Sequence, residues 1–228
     1  MKKIFAILLM IATIPVAFAQ ERSLVNVTGE HKIMVEPDEA EVNFMISTNH
    51  KNLQDAKKTN DAIASKAISY LKRQNISEKD IRTTRVNVNP YDEYVKDQKS
   101  IPMFRAQQSI NVKLKDLDKL ASLLSGLVDL GVNNIQNVEF KSSKIEEIQN
   151  TARAQAMLNA KQKATILAQA LGQSIGAAYS VNDNTSNNNG SPRPMAMYKA
   201  AMADSTQEPI ATGEIEVIAN VTVGFLLK

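Results

Sequence analysis

The sequence predicts an α+β protein: two β-α-β-β-like repeats, mostly antiparallel sheet, with helices packed on one face. Three observations carry this. Several segments alternate apolar and polar residues with period two. The clearest is Glu214 to Leu227, where Ile215, Val217, Ala219, Val221, Val223, Phe225 and Leu227 share one side. Two longer segments, Leu53 to Leu71 and Ile145 to Leu171, instead repeat apolar residues at helical spacing. Finally, the order strand, helix, strand, loop, strand occurs twice, within about 24–114 and 132–227. The least regular loop precedes the last strand each time.

Taken in order, the first element is Leu24 to Ile46. Val25, Val27, Ile33 and Val35 alternate with polar neighbours, Pro37-Asp38 breaks the run, and Ala40, Val42, Phe44 and Ile46 alternate again. Proline lacks an amide donor, so it belongs at a corner, and the stretch reads as a hairpin onto which the rest packs, with the closing strand Glu214 to Leu227 as its sheet neighbour. Thr28-Gly29 reads as an isolated turn or bulge. In the helix from Leu53 to Leu71, Asn60 falls on the apolar side, which predicts a buried amide bonded to backbone. Ser77 to Asp80 is a turn. Ile81 to Tyr91 is a strand whose phase slips between Thr83 and Val86, predicting a bulge. Phe104 to Leu114 is another strand. Asp116 is placed to cap a helix from Leu117 to Leu130, closed by Gly131. Val132 to Phe140 is strand-like. Ser142 or Ser143 is placed to cap the helix from Ile145 to Leu171, closed by Gly172. Its row Ala152, Ala156, Ala160, Ala164 and Ala168 allows close helix-to-sheet packing. Ile175 to Val181 is a strand, and 182–213, rich in Asn, Pro, Met and Ala, reads as a flexible loop.

Residues 1–19 read as a secretory signal peptide. Lys2 and Lys3 precede the apolar run Ile4 to Phe18, and Ala17-Phe18-Ala19 predicts cleavage between Ala19 and Gln20. The run is short for a membrane span and has no stop-transfer flank. No cysteine exists, so neither lipid attachment nor disulfides nor thiol chemistry is expected. The formal net charge of +3 falls to +1 once Lys2 and Lys3 leave. Both signs are interspersed, so there is no nucleic-acid footprint. No second apolar run reaches spanning length. The expected location is the periplasm or the exterior.

The catalytic inventory is poor. The two histidines, His31 and His50, form no H-x-x-x-H pattern and have no evident orienting carboxylate, which leaves zinc chemistry and serine hydrolysis without a residue set. A hydrolase built around them is the remotest of three function classes. Asp38, Glu39 and Glu41 cluster at the corner and read as a solvated turn. Glu146-Glu147 suits a helix N-terminus. No catalytic, cofactor-binding or metal site is assigned. Met195, Met197 and Met202 are the candidates for a Cu(I)-binding or sacrificial antioxidant module. The favoured reading is a flexible loop whose Met and Ala pack on a neighbouring subunit, a role that soft methionine suits.

Val25-Asn26-Val27-Thr28-Gly29-Glu30, running into Val35-Glu36-Pro37-Asp38-Glu39-Ala40, resembles the opening of the SIMPL-domain family: a strand, a T/S-G-E turn, a strand and V-x-P-D-x-A. Pro209-Ile210 through Gly213-Glu214-Ile215-Glu216-Val217 resembles that family's closing P-I-x-x-G-E-I-x-V strand, and a Pro/Met/Ala-rich loop before it is a family habit. His31 departs from the pattern, which often has Gly there. The resemblance spans the mature chain. It implies an exported bacterial envelope protein linked to oxidative-stress defence, with ring-like or channel-like oligomers and no established catalytic residues. The expectation is therefore a non-enzymatic envelope protein that self-assembles as a homo-oligomer and supports oxidative or envelope stress tolerance. It is expected to need no cofactor, to bind no nucleic acid, and to touch the envelope or membrane surface at most.

Overall fold

The computed structural model describes residues 23–94, 100–185, 210 and 212–228. The expected signal segment 1–19 and its expected cleavage site, and the candidate residues Met195, Met197 and Met202, lie outside the described residues. The fold is α+β, with two antiparallel sheets and three α-helices among the described residues. The strands are β1 (Leu24–Val35), β2 (Glu39–His50), β3 (Ile81–Glu93), β4 (Ile101–Leu114), β5 (Asn134–Lys141), β6 (Ile175–Asp183) and β7 (Ile215–Leu227). The helices are α1 (Leu53–Arg73), α2 (Leu120–Asp129) and α3 (Ile145–Ala170).

Sheet A has the order β1-β7-β6 and sheet B the order β3-β4-β2-β5. The opening stretch is therefore not a hairpin. β1 pairs along its whole length with β7, Val27 opposite Val223 and Val35 opposite Ile215, whereas β2 lies between β4 and β5. Period-two alternation fixes which face a strand buries but not which strand lies beside it. The strands of the expected second repeat are divided as well. β5 pairs with β2, and it is β1 that lies beside β7.

The consequence is a chain of two packing units. The stretch from β2 to β5 folds as one unit around sheet B, set between β1 and the α3–β6–β7 segment that completes sheet A. Each unit has its own core. In unit B, Val42, Phe44, Ile46, Ile110 and Val112 meet Ala64, Ala67 and Leu71 of α1 and Leu120, Leu123 and Leu127 of α2. In unit A, Val27, Val217, Ala219, Val221 and Val223 meet Ala152, Ala156, Ala160 and Ala164 of α3. The two cores share no residue. Each sheet carries its helices on one face only.

Local chemistry explains the elements. The Asn52 side chain caps α1, accepting from the Gln54 amide at 2.8 Å. All three helices end in the same motif, with a left-handed residue after the cap: Asn75, Gly131 and Gly172. In each, the next amide bonds back to the carbonyl of Leu71, Leu127 or Ala168. Asp116 does not cap α2. A single 3-10 turn, Leu117–Lys119, intervenes, and the Asp116 carboxylate pairs with Lys119 at 2.7 Å. The bulge in β3 falls between Thr83 and Arg85. Asn60 is buried, and its amide donates to the carbonyls of Ile46 at 3.0 Å and Ala106 at 2.9 Å.

Gly29 is not in a turn either. It sits mid-strand opposite Val221, where a Cβ would lie 2.0 Å from the Ala156 carbonyl oxygen and 2.8 Å from the Ala160 nitrogen. The glycine and the alanine row are two halves of one contact, which lets the α3 backbone lie directly on β1.

Candidate functional site

The corner after β1 joins the two units. Residues 36–38 carry the chain from sheet A to sheet B, and residues 142–144 carry it back. Pro37 and Ser142 are buried, so these crossings are packed. Asp38 ties them together. Its amide donates to the Lys141 carbonyl at 3.1 Å, and its carboxylate accepts from the Ser143 amide at 2.6 Å and from the Ser143 hydroxyl. Partial burial pushes the Asp38 carboxyl up, but the Ser143 hydrogen bonds and nearby Lys144 outweigh this and hold it below the usual carboxylate range. Ser143 is therefore spent on Asp38 rather than on capping α3. Lys144 holds the cap position without a side-chain bond, and Ser142 Oγ accepts from its amide at 3.3 Å.

The neighbouring carboxylates are structural. Glu39 is buried, against the expectation of a solvated turn, because the chain turns inward at the start of β2. Lys113 meets it at 3.0 Å. Lys141 lies 2.9 Å from Glu41 and 3.6 Å from Glu139. Its hydrogen bond is the main reason that the Glu41 carboxyl sits below its ordinary range. Each of these carboxylates thus has a lysine partner.

The histidines are not brought together. His31 lies on β1 in sheet A, opposite Ala219, and His50 ends β2 in sheet B. His50 does have a carboxylate nearby, Asp55 at 3.5 Å, because the first turn of α1 folds back toward β2. Its Nδ1 accepts from the Asn52 amide at 3.0 Å, so this nitrogen serves the helix start. No cluster of three or more His, Cys, Asp or Glu suited to a metal occurs among the described residues.

The unexplained surface is the outer side of α3. Its alanine row is fully buried. At 100° per residue, the positions midway between successive alanines point straight away from the sheet. They are Ala154, Leu158, Gln162 and Ile166, followed by Ala170. Leu158 is 59% exposed and Ile166 58%, and Leu171 just beyond the helix is 70% exposed. The helix thus buries alanines on one face and carries an uncharged, mostly apolar row on the opposite one, with Gln162 its polar member. Sequence reading missed this row because the alanines absorbed the helical periodicity. Asking what sits midway between them would have found it.

The sheet edges are less inviting. Along β1, α3 side chains occupy the edge: Asn159 Oδ1 accepts from the Glu30 amide at 3.5 Å, and Lys163 donates to the Thr28 carbonyl at 2.9 Å. The pairing of β3, β5 and β6 is interrupted by register shifts. Such irregular or occupied edges resist addition of another strand.

The comparisons follow this geometry. The family model SIMPL, described as a protein of unknown function (DUF541), matches residues 25–225. The chain is 33% identical over 210 residues to the uncharacterized protein YggE of Edwardsiella ictaluri, covering 92% of this chain and 87% of that one. It is 30% identical over 201 residues to YggE of Escherichia coli K12, covering 88% and 82%. It is 27% identical over 229 residues to a 26 kDa periplasmic immunogenic protein of Brucella melitensis, covering 93% and 90%. No helix among the described residues is long and apolar enough to cross a membrane. The chain belongs to the SIMPL family.

Proposed function

We propose that this protein is a periplasmic or secreted envelope protein that acts without catalysis, by assembling with copies of itself, and that the assembly supports oxidative or envelope stress tolerance. The location rests on the signal-like N-terminus and on the periplasmic name of the Brucella relative. The observation that carries the assembly is the uncharged outer row of α3, with Leu158 and Ile166 more than half exposed on a helix whose other face is already buried. An apolar row of this kind on a helix gains free energy when a matching surface removes it from water, about 25 cal/mol per Å² buried. The occupied or irregular strand edges favour packing of side chains over strand addition as the mode of contact.

The test is the double variant Leu158→Glu, Ile166→Glu, measured by size-exclusion chromatography with light scattering. Both positions face away from the core, so the fold should persist by circular dichroism. The mass should fall to that of a smaller species. An unchanged oligomer would remove α3 as the contact.

A further inference from the structure

The outer face of sheet B departs from the composition its exposure predicts. Helices α1 and α2 cover the inner face, where Val42, Phe44 and Ile46 point. The outer face carries an in-register row across four strands: Asn137, Asn43, Asn111 and Arg82. Two rows further on stand Ser47, Gln107 and Asn87. Asparagine is among the residues strands disfavour, whereas threonine is a polar residue they favour. A sequence that accepts this local conflict at so many neighbouring positions retains them for something other than folding.

The charge is one-sided as well. From the row of Asn43 to that of Asn49, the outward residues of all four strands include no carboxylate. Their charges are all arginines: Arg82, Arg85 and Arg105. The nearest acidic pair, Glu41 and Glu139, lies one row beyond and shares Lys141. The amides are also oriented. Asn111 Nδ2 donates to Asn43 Oδ1 at 2.8 Å, and the Arg105 guanidinium rests 4.2 Å above the Tyr91 ring while Nε donates to Asn49 at 3.1 Å.

Neighbouring strands stand about 4.8 Å apart, so the row presents an amide on each of β5, β2 and β4 and a guanidinium on β3 at that interval. This is close to the length of one sugar unit in an extended glycan. Amides pair with hydroxyl and N-acetyl groups, and arginine pairs with carboxylate through two parallel bonds. We propose that the outer face of sheet B binds an extended, carboxylate-bearing polysaccharide lying across the strands along Asn137, Asn43, Asn111 and Arg82. The occupant is set by the match of cationic and amide groups to an acidic polyhydroxylated chain, and it does not depend on the assembly.

The test titrates the protein with hyaluronate oligosaccharides, which carry both carboxylate and N-acetyl groups. Neutral chitohexaose and a single-stranded oligonucleotide serve as comparators, all followed by calorimetry. A triple variant, Asn43→Thr, Asn111→Thr and Asn137→Thr, replaces the row with a strand-favouring residue. The wild type should bind hyaluronate saturably and more tightly than either comparator. The triple variant should unfold at the same temperature or higher yet bind at least about tenfold more weakly, the loss of several amide hydrogen bonds. Three results overturn the proposal: no saturable wild-type binding at millimolar hyaluronate, equal binding of the oligonucleotide, or undiminished binding by the triple variant. Should the triple variant misfold, Arg82→Gln, at the β3 position of the same row, supplies the comparison.

Discussion

Replacing Gly29 with alanine tests how unit A is built. The added Cβ would stand 2.0 Å from the Ala156 carbonyl oxygen and 2.8 Å from the Ala160 nitrogen. Both obstacles are backbone atoms of α3, so no side-chain rotation relieves the clash. Forcing one extra carbon into a packed core costs about 1–3 kcal/mol. Here the helix must lift from β1, which also pulls buried Ala156 and Ala160 off the sheet, so the upper end, about 3 kcal/mol or more, is expected. For a unit of this size that corresponds to a fall in melting temperature on the order of 15 °C. Hydrogen exchange by mass spectrometry is the assay, because it reads the two units separately. Peptides from β1, α3 and β7 should exchange faster, while those from α1, β2 and β4 stay protected. The separation of the two cores demands that difference. Unchanged stability, or equal loss of protection in both units, would refute it.

Two further outcomes follow from the same structure. Asp38→Ala removes the acceptor that joins the crossings, so amides at the start of α3 should exchange faster at neutral pH. The Asp38 carboxyl is depressed in the folded protein, so its contribution is present above the ordinary carboxylate range and is lost as pH falls through the lowered value. The difference between variant and wild type should therefore vanish only in strong acid, and a difference independent of pH would exclude the carboxylate as its source. Asn60→Leu leaves two buried carbonyls, of Ile46 and Ala106, without their donor. Urea unfolding should show a loss of about 1–3 kcal/mol confined to unit B, and a neutral effect would contradict the assigned role.

Much of the fold was legible because its signals are local. Alternation placed β1, β2, β4 and β7, the alanine row announced a helix in close contact, and the phase slip near Thr84 marked the bulge. Asn60 stood out as the polar residue on an apolar stripe. What escaped depends on distant partners. Nothing around Gly29 announces α3, which lies well over a hundred residues away, and although the closing strand is expected beside the opening stretch, strand periodicity does not say that β1 leaves β2 for another sheet. Glu39 looked solvated because its partner Lys113 comes from another strand. Ser143 looked like a cap because the competing acceptor, Asp38, lies across the corner. The outer row of α3 and the asparagine row of sheet B were readable as residues, but only the exposure of one and the register of the other gave them meaning.

The claim that this protein works by assembling is tested most directly by the mass of the mature chain in solution. Light scattering over a micromolar concentration series should give a defined multimer of the 209-residue chain spanning 20–228. A strict monomer throughout the series would contradict it.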